Sequence, residues 1–154
     1  MEVQVLEQKE SGKKKLKVGA YCRVSTDSKS QGNSFDNQVK YYEKLIHKNP
    51  AYEFVKVYAD QGMSGTSENR TQFQEMLEDA RTGKLDMIYT KSISRFARNT
   101  ITVLKYAREL KEYGVGIFFE EQRINTLSGE GELMLTVLAS FAQEESRSIS
   151  ENNK

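Results

Sequence analysis

The chain has 154 residues, the usual length of one folded domain, with 23 Lys and Arg against 22 Asp and Glu and a net charge of +1. This balance excludes a uniformly basic surface, and the content of 10 Gly and one Pro excludes a low-complexity chain. We predict no membrane segment, because no apolar run approaches the roughly 20 residues of a membrane span, and no secretory signal, because the N-terminus lacks an apolar stretch. A single cysteine suits a reducing cytoplasm, which is the predicted location.

The first part of the chain is predicted to be a strand and a helix behind a polar arm. Residues 1–16 are mostly polar and charged, and we predict a flexible N-terminal arm. Residues 17–25 are typical of a strand, and a helix follows from about residue 33 and ends before Pro50. The predicted apolar stripe of this helix consists of Phe35, Val39, Tyr42 and Ile46.

The middle of the chain repeats the alternation. Residues 53–60 indicate a second strand and residues 62–69 a flexible loop. A helix begins at Thr71 and stops at Gly83, and residues 85–90 indicate a third strand. The residues of this helix that are predicted to face inward are Phe73, Met76, Leu77 and Ala80.

The last third adds a helix over 100–113 that ends at Gly114, a strand over 115–120, an extended piece at 123–126 and a long helix from about 129. Strands that alternate with helices predict an α/β fold with a mostly parallel central sheet of four to five strands. Helices are expected on both faces of the sheet, in a three-layer arrangement with a long C-terminal helix.

Polar clusters follow three of the predicted strands, at residues 25–27, from Asp60 onward and at 91–95. In sheets of this kind the functional site lies at the carboxyl ends of the strands. We therefore expect the site to be built from these clusters.

The first strand places Tyr21, Arg23 and Ser25 on one face, because side chains alternate along a strand. Burying an arginine on such a strand is costly unless a negative charge meets it. Two interpretations of Arg23 stay open: a salt bridge to an internal carboxylate, or contact with an anion bound beside Ser25.

Three further arginines follow the second and third strands. Arg70 closes the polar loop, and Arg95 and Arg98 share a face if the turn that holds them is helical. Each alone is typical of a protein surface. Together with Arg23 beside a strand-end serine they favour a phosphate site, since the guanidinium fork matches two phosphate oxygens.

Other chemistries are less favoured. The single histidine, His47, lies far along a helix, which argues against a Ser-His-Asp hydrolase, and Cys22 points away from Ser25 and is interpreted as a packing residue. No phosphate-binding loop or zinc motif is present, so we predict no nucleotide, metal or other cofactor. A magnesium site remains as a minor alternative, and its candidate ligands are Asp27, Asp36 and Asp60.

Several segments, in order, resemble the catalytic domain of the serine site-specific recombinases, the resolvases and invertases and their large relatives. The resemblance covers residues 17 to about 151. The matching segments are YCRVSTD at 21–27, Gln38, the loop that ends at Arg70, KSISRFARN at 91–99 and AQEESRSISEN at 142–152.

This resemblance implies a covalent link between Ser25 and a DNA 5′ phosphate, with release of a 3′ hydroxyl and no need for ATP or metal. The residues implied to bind the scissile phosphate are Arg23, Arg70, Arg95 and Arg98, with Gln38 in a supporting role and Glu151 as a carboxylate on the long helix. Small resolvases carry Asp where this chain has Ser94, and KSISRFARN is more similar to the large integrase and transposase-type members.

The resemblance also implies a division into a catalytic core over 17–128 and an interface helix over 129–154. The helix carries an apolar face that either joins the domain's own core or pairs subunits into dimers and tetramers. Because the net charge is only +1, we expect most affinity for DNA to come from a DNA-binding domain outside this chain. The apolar helical pattern continues to Ile149 without a stop signal, which favours a longer protein. The apolar face consists of Leu133, Met134, Leu135, Val137, Leu138, Phe141 and Ala142.

Site-specific recombination or transposition is thus the predicted function. Two alternatives remain: a non-catalytic assembly or regulatory domain with the same fold, and a metal-free phosphoryl-transfer enzyme that acts on another phosphoester.

Overall fold

The computed structural model of the chain describes residues 15–25, 35–62, 70–97 and 99–152. Its strands are β1 (Leu16–Ser25), β2 (Tyr52–Gly62), β3 (Met87–Thr90), β4 (Gly116–Phe119) and β5 (Ile124–Asn125). Its helices are α1 (Phe35–His47), α2 (Thr71–Arg81), α3 (Ile93–Phe96), α4 (Thr100–Glu112) and α5 (Gly129–Asn152).

The five strands form one sheet in the order β2-β1-β3-β4-β5. β1 pairs in parallel with β2 from Leu16 to Ser25, with an irregularity between Val18 and Ala20, and β4 pairs antiparallel with β5. The predicted α/β class, with a mostly parallel sheet and a long C-terminal helix, is confirmed.

The chain divides into two compact units, residues 1–88 and 89–154. In the first unit β1 is buried from Val18 to Cys22 and at Val24, because apolar side chains occupy both of its faces there, whereas Leu16 is exposed and Arg23 is half-buried. α2 matches the predicted pattern fully, and Gly83, with a φ of +89°, follows it in the left-handed conformation that ends many helices. The buried residues in these two elements are Val18, Ala20, Tyr21, Cys22 and Val24 of β1 and Phe73, Met76, Leu77 and Ala80 of α2.

α1 departs from its predicted stripe. Tyr42 and Ile46 are buried, but Val39 is only half-buried and Phe35 is 50% exposed. Phe35 is the first residue of the helix and lies at the end of the stripe.

β2 is longer than predicted: it begins at Tyr52 and includes Gln61 and Gly62, the second of which was predicted to begin the loop. The extension arises because parallel pairing with β1 continues until Ser25 is opposite Gly62. β3 begins two residues later than predicted, at Met87. Before it, Asp86 exchanges hydrogen bonds with Lys17: the Lys17 N–H donates to a carboxylate oxygen of Asp86 at 2.8 Å, and the Asp86 N–H donates to the Lys17 carbonyl at 2.7 Å.

The second unit is built on α4, whose Val103, Ala107 and Leu110 are buried at helical spacing. The Asn99 side chain caps this helix by accepting a hydrogen bond from the Thr102 N–H at 2.8 Å. Gly114, with a φ of +81°, ends it as predicted. In the described part of the chain, no helix is both long enough and apolar enough to cross a membrane.

Candidate functional site

Asp60 lies near the end of β2 and is only 4% exposed. Its carboxylate accepts three hydrogen bonds: from the Tyr21 hydroxyl at 2.9 Å, from the Gln72 N–H at 2.9 Å and from the Phe73 N–H at 3.0 Å. The two backbone donors belong to the first turn of α2, whose cap residue, Arg70, makes no side-chain capping bond. Asp60 therefore caps α2 from a neighbouring strand.

Arg70 contacts Tyr21 and Phe73, two of the residues that donate hydrogen bonds to Asp60. Its Nε–H donates to the Tyr21 hydroxyl at 3.3 Å, and its Cζ is 3.7 Å from the centre of the Phe73 ring and 5.3 Å from that of Tyr21. The two rings meet edge to face, with centres 5.2 Å apart. We call Tyr21, Asp60 and Phe73 the Arg70 clamp, since all three hold or support the guanidinium.

The Tyr21 hydroxyl is the centre of the clamp. Burial raises the pKa of Tyr21 above its usual value, Arg70 opposes this rise, and Asp60 adds to it. The phenol is therefore neutral at physiological pH. It donates its proton to Asp60 and accepts a hydrogen bond from Arg70.

Arg23 is half-buried on β1. In the parallel pairing of β1 with β2 it lies opposite Asp60, and the next pair along the strands is Val24 opposite Gln61. Among the ion pairs formed between described residues, none includes Arg23. That part of the structure thus does not support the internal salt bridge that the sequence left open. Ser25 is the last residue of β1, and its side chain lies outside the described part.

Arg95 lies in the short helix α3 of the second unit and is exposed. The buried Ser92 caps this helix: its Oγ accepts a hydrogen bond from the Arg95 N–H at 3.3 Å and lies 3.1 Å from the Oγ of Ser94. The helix ends at Phe96, because Ala97 is extended (φ −156°, ψ 157°), so the helical turn that would place Arg95 and Arg98 on one face is not continuous, and their shared position stays a prediction. Arg98 itself lies outside the described residues.

The other predicted site residues lie on α1, on α5 or outside the described part of the chain. Gln38 is half-buried on α1, Asp36 is exposed in the first turn of the same helix, Asp27 lies outside the described residues, and the side chain of Glu151 does too. Within the described ranges no three His, Cys, Asp or Glu side chains gather as metal ligands would. Asp60, a candidate magnesium ligand in the sequence, is occupied by the three donors above. The convergence of the four arginines stays a prediction.

Sequence reasoning missed the roles of Asp60 and Phe73. Asp60 was interpreted only as a strand-end carboxylate and a candidate magnesium ligand, and Phe73 was assigned to the core alone. One signal was available: α2 begins after Arg70 without a capping side chain of its own. A helix start of that kind needs an acceptor from elsewhere, and a carboxylate at the end of the preceding strand is a natural source.

The "Resolvase, N terminal domain" family model matches residues 18–154. The Tn3 transposon resolvase of Escherichia coli is 26% identical over 136 residues, which are 88% of this chain and 67% of that protein. A putative DNA recombinase of Bacillus subtilis (strain 168) is 27% identical over 135 residues, which are 87% of this chain but only 26% of that protein.

Two solved structures are similar to this chain in fold. A resolvase family site-specific recombinase from Streptococcus pneumoniae superposes with a TM-score of 0.73 at 37% identity, covering 90% of this chain and 93% of that one. The N-terminal catalytic domain of TP901-1 integrase has the same fold, with a TM-score of 0.73 at 24% identity, over 85% of this chain and 97% of that domain. On this fold and these matches, the chain belongs to the resolvase family of serine recombinases.

Proposed function

We propose that this chain is the catalytic domain of a DNA recombinase in which Ser25 attacks a DNA phosphodiester. Family membership supports the reaction class, and the Arg70 clamp is the observation that carries the proposal. Arg70 follows directly on the loop after β2, the strand that is paired with β1 up to Ser25. A guanidinium held in place near the end of a parallel strand pair is suited to bind a phosphate oxygen.

The proposed chemistry exchanges one phosphoester bond for another. The Ser25 Oγ loses its proton and forms a bond to phosphorus, the bond from phosphorus to the 3′ oxygen breaks, and that oxygen leaves with a proton as a 3′ hydroxyl. The 5′ phosphate stays linked to Ser25. Rejoining is the reverse attack by a 3′ hydroxyl, which releases the serine. The number of phosphoester bonds is conserved, so no ATP is consumed.

Arginines supply the electrostatic part of the proposed reaction. Negative charge builds on the phosphoryl oxygens as the serine attacks, and preorganised cations stabilise it without having to reorganise. Arg23, Arg70, Arg95 and Arg98 are proposed to share this role, with Gln38 in support.

A covalent adduct tests the proposal directly. The chain is joined to a DNA-binding domain of known target, and this fusion is mixed with duplexes that carry that target on both sides of a randomised, nicked centre. We expect a denaturant-resistant adduct at a DNA 5′ end with the unaltered chain, and none with Ser25→Ala. Thr82→Ala, which removes an exposed hydroxyl at the end of α2, serves as the matched control and should retain the adduct.

Failure of the unaltered fusion to form an adduct, or an adduct that persists in Ser25→Ala, would contradict the proposal. Release of inorganic phosphate from a phosphomonoester in a Ser25-dependent manner would instead support a phosphatase-like activity. If the chain has neither activity, a non-catalytic assembly role is the better interpretation.

We also propose that α5 pairs the chain with a second copy. Leu133, Val137 and Phe141 are 66%, 43% and 56% exposed and follow each other at intervals of one helical turn. They form an apolar row on the surface of the second unit, which the partner's equivalent row can cover. Cutting both DNA strands with one serine per chain also requires more than one copy.

A further inference from the structure

We infer that Phe73 and Tyr21, with Tyr21 oriented by Asp60, are positioning residues that hold the Arg70 guanidinium ready for a phosphate oxygen. The inference rests on the proposed function, and it assigns to the Arg70 clamp a role beyond packing. Tyr21, Asp60, Arg70 and Phe73 all belong to the first unit.

The two hydrogen bonds of the Tyr21 hydroxyl have a defined direction: it donates to Asp60 and accepts from Arg70. A phenol has one proton to donate, and here that proton is directed to the Asp60 carboxylate, which accepts only. The Tyr21 oxygen therefore presents a lone pair to Arg70, whose Nε–H donates to it at 3.3 Å. Without Asp60 the hydroxyl proton could rotate toward the guanidinium and oppose this bond.

Phe73 supplies a flat support for the same cation. The Arg70 Cζ lies 3.7 Å from the centre of the Phe73 ring, a distance of direct contact between a guanidinium and the negative face of an aromatic ring. Phe73 is 1% exposed, so its ring is held by packing in the core, and its own N–H is bonded to Asp60, which fixes its backbone at the start of α2. Leucine has similar apolar bulk but no such ring face.

Holding the arginine in advance matters for catalysis. A free arginine side chain has many rotamers, and the entropy lost on fixing one of them opposes each phosphate contact. A guanidinium that is already held by a ring and a hydroxyl avoids much of that loss when the transition state forms. The bond to Tyr21 uses the Nε–H of Arg70, and a guanidinium carries several N–H donors in a planar fork that matches phosphate oxygens.

The test is a double-mutant cycle on adduct formation by the fusion, at saturating DNA and in a single turnover. We expect Phe73→Leu to slow adduct formation about tenfold in the unaltered background, and to change the rate less than about twofold when Arg70 is already Lys. Tyr21→Phe, which removes a single oxygen atom, should show the same dependence on Arg70. Because it is so small a change, it carries the cycle if Phe73→Leu fails to fold.

Met76→Leu is the matched control, since Met76 lies one turn further along α2 and is fully buried. It should leave the rate unchanged. An equal slowing by Met76→Leu, or the same tenfold slowing by Phe73→Leu in the Arg70→Lys background, would overturn the inference, because either result would describe general loosening of the fold.

A second measurement requires no reaction. The Nε–H signal of Arg70 in the 154-residue chain should move in NMR spectra when Phe73→Leu removes the ring, and should stay in place in Met76→Leu. An unmoved signal in Phe73→Leu would contradict the clamp itself. By contrast, absence of any adduct from the unaltered fusion while the signal moves would contradict the proposed function and leave the clamp geometry intact.

Discussion

The hydroxyl of Tyr21 lies 2.9 Å from a carboxylate oxygen of Asp60, although the two residues are 39 positions apart in the sequence. This bond joins the buried part of β1 to the end of β2. The same carboxylate caps α2 through the Phe73 N–H. One buried acid thus links β1, the start of α2 and, through the Tyr21 hydroxyl, Arg70.

Asp60→Ala should destabilise the chain. The substitution leaves the Tyr21 hydroxyl and two backbone N–H groups of α2 without their acceptor, and we expect the free energy of unfolding to fall by about 3 kcal/mol. Asp36→Ala removes an exposed carboxylate from the first turn of α1 and should cost less than about 1 kcal/mol. Urea unfolding with linear extrapolation measures both. Similar losses for the two variants would refute the special role of Asp60.

Two buried tyrosines predict a loss of stability in alkali. Burial raises the pKa of Tyr21, and burial together with a 2.6 Å hydrogen bond to Asp79 raises the pKa of Tyr58. In the unfolded chain both ionise near pH 10, so above about pH 10 the folded state holds more protons than the unfolded state. The free energy of unfolding should then fall by up to about 1.4 kcal/mol per pH unit for each tyrosine.

Comparison with Tyr58→Phe separates this effect from the titration of lysines. The free energy of unfolding is plotted against pH for both proteins. Below about pH 10 the two plots should differ by a constant, and above about pH 10 the free energy of unfolding should fall faster for the unaltered chain than for Tyr58→Phe. If the two plots of unfolding free energy stay parallel up to about pH 11, Tyr58 ionises equally in the folded and the unfolded chain.

Gly131 permits a close approach between the start of α5 and the turn after β5. A Cβ at this position would lie 2.1 Å from the Asn125 carbonyl oxygen and 2.6 Å from backbone atoms of Thr126, distances that no side chain tolerates. We expect Gly131→Ala to lower the free energy of unfolding by at least about 2 kcal/mol. Gly129→Ala, where a Cβ would meet nothing within 4 Å, should change it by less than about 1 kcal/mol. Equal thermal midpoints for the two variants would disprove the close approach.

Neighbouring residues of α5 should separate self-association from stability. Val137 is 43% exposed, so Val137→Ser should weaken association while changing the free energy of unfolding by less than about 1 kcal/mol. Leu138 is 9% exposed, and Leu138→Ser should cost about 3 kcal/mol. Sedimentation velocity over a range of concentrations and urea unfolding measure the two effects. An unaltered chain that stays monomeric throughout, or association insensitive to Val137→Ser, would rule out pairing through this row.

The predicted apolar face of α5 shows what the periodicity of apolar residues can and cannot predict about burial. The sequence assigned seven apolar positions to one face and left open whether it is core or interface. In the structure Leu135 and Leu138 are buried, whereas Leu133, Val137 and Phe141 form an exposed row. Residues two positions apart on a helix point about 200° apart, so Leu133 and Leu135 cannot share one narrow face.

The sequence by itself determined the α/β class, the order of the elements, the inward face of α2 and the membership suggested by YCRVSTD and the later segments. The first three follow from local rules: side-chain period, turn residues and helix ends. The membership was suggested by the resemblance of those segments to a known family. The sequence could not determine which partners meet at Asp60, since that depends on the register of β1 against β2 and on the residue where α2 begins. The tertiary structure decided that Tyr21, Phe73 and Arg70 come together there, because long-range strand pairing places β1 and the start of α2 around one buried carboxylate of β2.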